Sequence, residues 1–140
     1  MVAFFVCAAL VLIPWTVLLI FSPQQVDVGK HWHLVWGGFD CFLLLGFVQT
    51  AARIARRSPS GAITAAATGA MLLVDAWFDI WTARSQMDTL TAVVMAVLAE
   101  VPCALICFFA ARRIIRQLER AALASVDCKT GAAASAVGLE

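Results

Sequence analysis

The sequence predicts an all-α integral membrane protein, an up-down four-helix bundle, and three observations carry that expectation. Hydrophobic residues make up 63% of the chain and charged residues only 14%, a balance found in chains whose solvent is lipid. Four stretches, about 2 to 21, 34 to 52, 62 to 83 and 90 to 111, reach the roughly 20 apolar residues that a hydrocarbon core of about 30 Å requires. The links between them are short, which makes sequence neighbours antiparallel. Helices are the expected form, because a span in lipid must satisfy its own backbone. The bundle is assigned to residues 1–112, a basic amphipathic helical extension to 113–124, and a flexible tail to 125–140.

The first span begins without a basic n-region and runs through Pro14 into "FSPQQ", which offers no small-residue cleavage site; it reads as a retained helix. The second span opens in "HWHLVWGGFD" and closes at "RRSPSG". There Ser58 is the expected N-cap of the next helix, Pro59 suits its first position, and Gly61 loosens the turn. The third span holds "LLVDAWFDIW", with two aspartates four residues apart. In the fourth, Pro102 has no N–H and frees the carbonyl of Leu98 beside Glu100. Arg112, Arg116 and Arg120 then recur at helical spacing opposite Ile114, Ile115 and Leu118. They suit either a helix continuing onto an anionic leaflet or a solvated stop-transfer cluster. Four of the five cysteines (Cys7, Cys41, Cys103, Cys107) lie inside spans, where thiols behave as small apolar groups, and no disulfide framework is read.

Eight Lys and Arg residues gather on one side, from Arg53, Arg56 and Arg57 to Lys129, against Lys30 and Arg84 on the other. By the positive-inside rule both termini are cytoplasmic. The acids take the opposite half. At a rise of about 1.5 Å per residue, Asp40, Asp75 and Asp79 lie within about 12 Å of the outer surface and Glu100 about 16 Å down, near the midplane. An ionised carboxylate at a helix centre costs roughly 2.5 to 3.5 kcal/mol on insertion scales. All four are therefore expected to face inward and to be protonated, paired or hydrated.

Helical spacing groups Thr68, Leu72, Asp75, Asp79 and Thr82 on one face of the third span. The corresponding stripes are His33, Trp36 or Gly37, Asp40, Leu44 and Phe47 on the second and Ala96, Glu100, Cys103 and Cys107 on the fourth. Trp32, Trp36, Trp77 and Trp81 share the acidic half. Trp32 and Trp81 fit an interfacial belt, while Trp36 and Trp77 stand deeper, and an aromatic and carboxylate lining attracts a cation. The candidate cation-binding set is Asp40, Asp75, Asp79 and Glu100. Its expected walls are Trp36, Trp77, Trp81, His33 and Arg84.

"WGGFD", "RRSP", "ATGAMLLVDAWFDIWTA" and "LAEVPCALICF" together resemble a family of small four-span, uncharacterised membrane proteins of actinobacteria, over residues 32 to 110. The resemblance implies a four-helix fold in a bacterial inner (plasma) membrane; the family brings no established activity to carry over. Small multidrug exporters have a similar length, but their buried glutamate is in the first helix, where this chain has no acid. Asp75 and Asp79 have the D-x-x-x-D spacing of membrane prenyltransferases, which need about twice as many helices and take a diphosphate from the cytoplasm.

The expected function is non-catalytic: an outward-facing pocket that binds or conducts a proton, metal ion or organic cation. The alternatives are an accessory or assembly subunit whose buried acids only hold helices together, and a small membrane enzyme acting on a lipid-like substrate. No cofactor is expected. A metal ion has enough ligand types available in His31, His33 and the four acids, but H-x-H sends its two rings to different helix faces. The expected partners are the bilayer, a small cation or small-molecule ligand, and a second copy or another membrane protein; no nucleic-acid face is present.

Overall fold

A computed structural model describes residues 1–21 and 32–137, with side chains for all of these except Leu19, Ile20, 32–34 and 127–137. Among the described residues the chain is helical: α1 Val2–Phe21, α2 Trp32–Ala55, α3 Gly61–Thr82, α4 Gln86–Met95, a π-helical turn Ala96–Glu100, and α5 Val101–Val137. The last three form one continuous rod. Three segments are long and apolar enough to cross a membrane, Val35–Ala55, Gly61–Thr82 and Gln86–Val126, and α1 adds the shorter apolar stretch Val2–Leu18. The expected membrane-embedded helical bundle is therefore what the chain forms. The rod also passes Ser125 without a break and continues to Val137.

Local chemistry explains the helix boundaries. α2 ends in a Schellman-type closure, in which Ser58 N–H bonds the Arg53 carbonyl at 2.9 Å and Arg57 N–H bonds the Ile54 carbonyl at 3.0 Å. Arg57 takes the left-handed conformation this requires, φ 53°. The N-cap of α3 is Ser60, where the sequence pointed to Ser58. Ser60 has helical dihedrals and makes no side-chain cap, and the two serine hydroxyls lie 2.8 Å apart. The reason is that Ser58 is already spent on closing α2. α4 opens with a full capping box: Asp88 N–H donates to Ser85 Oγ at 3.1 Å and Ser85 N–H donates to Asp88 Oδ2 at 3.2 Å.

The helices pack in chain order. α1 lies on α2, with the Phe5 and Phe47 rings 6.2 Å apart. α2 lies on α3 through small polar residues: Thr50 and Thr68 hydroxyls are 3.5 Å apart, and a Cβ on Gly46 would stand 2.7 Å from Thr68 Oγ1. α3 lies on α5, and a Cβ on Gly69 would stand 3.0 Å from the Cys107 Cβ and 3.2 Å from the Ala104 carbonyl. Small residues at these crossings let backbones approach, which is how helices associate where lipid is as apolar as leucine.

The series does not close on itself. Among the described residues no Cα of α1 comes within 8 Å of a Cα in the rod. At the basic end Arg113 Nη1 lies 4.0 Å from the sulfur of Met1.

Candidate functional site

The gap between α1 and the rod is a cavity of about 540 Å³ with all four helical segments in its walls. Asp40, Asp75, Asp79 and Glu100 all line it, and the remaining lining is apolar apart from the indoles of Trp15 and Trp36 and the thiols of Cys7 and Cys103. The helical phase of each stripe accounts for this convergence. Gly37, Asp40 and Phe47 are buried on α2; Thr68 and Leu72 are buried on α3 below Asp75; Ala96, Glu100 and Cys107 are buried on the rod. Asp75 and Asp79 are half-buried and stand four residues apart on one face.

Two of the four carboxylates are nearly sealed from solvent, Asp40 at 5% exposure and Glu100 at 9%. They are satisfied differently. Asp40 Oδ2 accepts from the Thr16 hydroxyl across the α1–α2 contact at 3.4 Å. Glu100 Oε2 is buried without a hydrogen-bond partner, an arrangement that costs free energy unless something else supplies a donor or a charge.

Backbone geometry places Glu100. Pro102 cannot donate to the ladder, and the turn before it widens: Val101 N–H bonds Ala96 O, five residues back. The sequence pointed only to a freed Leu98 carbonyl. The structure instead puts a π turn there, with the carboxylate as its last residue. Such turns insert one residue into a helix and re-aim the side chains around them.

Trp36 belongs to the cavity wall and meets Phe78 of α3 edge to face, ring centroids 6.5 Å apart. Trp77 and Trp81 lie elsewhere: they are 61% and 69% exposed on the outer face of α3, with ring centroids 5.5 Å apart. Trp77 is two residues from both Asp75 and Asp79, about 200° round the helix from each. Arg84 is exposed in the turn between α3 and α4. His33 lies in α2, but its side chain is outside the described residues, as are His31, Asp27 and Lys30. Among the described residues no three His, Cys, Asp or Glu side chains are grouped closely enough to hold a metal ion.

Sequence reasoning missed the contribution of α1. Phe4, Val11, Leu12 and Trp15 form one wall of the cavity, and Thr16 supports Asp40. The available signal was Thr16 itself, a hydroxyl in an otherwise apolar span. Comparison with protein-family models, curated proteins and solved structures finds no match to this chain.

Proposed function

We propose that the protein binds an organic cation in the carboxylate-lined cavity, as a non-catalytic binding or transport component of a membrane. The observation that carries this reading is Glu100, whose Oε2 is buried and unpartnered at the wall of an apolar cavity that Asp40, Asp75 and Asp79 also line. About 540 Å³ is the size of a small-molecule site, and such sites are typically apolar with a few placed polar groups. A bare metal ion suits the cavity less well, because the acids are spread around the walls instead of meeting at one point. An organic cation meets spread carboxylates through long-range attraction and the Trp36 face through cation-π attraction.

A second reading is supported by the bond from Thr16 to Asp40: the acids act as polar ties between helices, as in an assembly subunit. Asp75→Asn separates the two. The amide keeps shape and hydrogen-bonding capacity, so the binding reading expects an unchanged fold and a weakened thermal stabilisation by cations. That stabilisation should reach about 2.7 kcal/mol in the unmutated protein at a hundredfold excess over Kd. An Asp75→Asn protein that unfolds, or an unmutated protein that no organic cation stabilises, favours the helix-tying reading.

A further inference from the structure

We infer that the occupant enters the cavity sideways from the lipid, between α1 and the π turn, and is an amphiphilic monocation with its charged group against Glu100 and its tail in the gap. The inference rests on the cation-binding reading and specifies the ligand class and its route.

Residues that line a cavity and are also exposed on the outer surface mark its mouth. Here they are Cys7, Val11 at 71% and Trp15 at 49% on α1, and Leu98 at 73% on the π turn. All four are apolar or, for the thiol, weakly polar, and they line one cavity between α1 and the rod, whose Cα atoms stay more than 8 Å apart. Leu98 lies along the spans, not at a helix end: about 20 Å of helix separates Gln86 from Glu100, so the mouth opens at the depth of the hydrocarbon.

A hydrophilic ion would have to cross that apolar rim after shedding its hydration, which is costly. A cation that already partitions into the bilayer meets no such barrier. Its tail exchanges lipid for Leu98, Val11 and Leu12, contacts of equal polarity, and its charge gains the carboxylate that lacks a partner in the fold. Lipid-side access also explains why an unpaired acid can sit so deep beside an open seam: the seam admits only molecules that bring their own apolar cover.

The test uses the full chain in lipid nanodiscs and three probes, octyltrimethylammonium, tetramethylammonium and octanol, titrated calorimetrically against empty nanodiscs. Octyltrimethylammonium is expected to bind saturably, one per chain, and at least a hundredfold more tightly than tetramethylammonium, since each methylene taken from water adds about fourfold. Glu100→Gln should weaken that binding tenfold or more. Leu98→Trp, at an exposed position that should leave the unfolding temperature unchanged, should slow association tenfold by narrowing the mouth.

Equal binding of tetramethylammonium, or unchanged association in Leu98→Trp, would overturn the lipid route while leaving the cation reading in place. Absence of saturable binding by either cation, or octanol binding as tightly as octyltrimethylammonium, would overturn both.

Discussion

The Thr16 hydroxyl stands 3.4 Å from Oδ2 of Asp40 and 2.9 Å from its own Leu12 carbonyl, so a single proton serves an intrahelical acceptor and an acid on the neighbouring helix. Thr16→Val should therefore cost about 0.5–1.5 kcal/mol, the net worth of one hydrogen bond. Thermal unfolding in a fixed detergent measures it. A loss above about 3 kcal/mol would mean that Asp40 depends on Thr16 alone, the cost of leaving a buried acid unsatisfied.

Arg57 offers a gain in stability. Its φ of 53° places a side chain where glycine is the usual occupant of a helix-ending closure. Arg57→Gly should stabilise the protein by about 1 kcal/mol, at the lower end of the left-handed penalty. The same thermal assay reads it, and a lower unfolding temperature would show that the guanidinium contributes more than the backbone strain costs.

Two glycines of α2 should respond in opposite directions. A Cβ on Gly38 meets nothing within 4 Å, whereas one on Gly46 meets Thr68 Oγ1 at 2.7 Å, and that hydroxyl is itself tied to the Thr64 carbonyl at 2.8 Å. Gly38→Ala should stabilise by up to about 1 kcal/mol through helix propensity. Gly46→Ala should destabilise by about 1–3 kcal/mol through overpacking at the α2–α3 contact. Equal unfolding temperatures for the two variants would contradict this account of the crossing.

Orientation is testable without any ligand. On a background lacking the native cysteines, membrane-impermeant thiol reagents added outside intact cells should label cysteines placed at 27–31 and at 85–88, and should miss 57–60. The basis is the bias of Arg53, Arg56, Arg57 and the Arg112–Arg120 cluster to one side. Labelling from outside at Ser58→Cys would invert the protein in its membrane.

Periodicity made the inward faces legible. Residues three and four apart share a helix face, so the stripes that hold Asp40, Asp75 with Asp79, and Glu100 could each be read as the inward face of their own helix. The same arithmetic, applied to Trp77, would have removed it from the wall, since a neighbour two residues from an inward acid points away. Two features were beyond sequence patterns. The π turn depends on how the ladder rearranges around Pro102, and a missing N–H alone does not say whether a helix kinks or widens. The open seam depends on which pairs of helices touch, and an α1 that is apolar apart from Thr16 carries no mark of the side left unpacked.

A wall secured along one edge shapes its contents loosely. α1 is packed against α2, and none of its Cα atoms comes within 8 Å of the rod among the described residues, so one helix interface holds that wall, while α2, α3 and α5 form a part fixed by their own packing. The carboxylates of α2, α3 and the π turn belong to that fixed part. On the proposed cation-binding reading, a site built this way is expected to discriminate by charge and tolerate variation in bulk, as broad-range binders do.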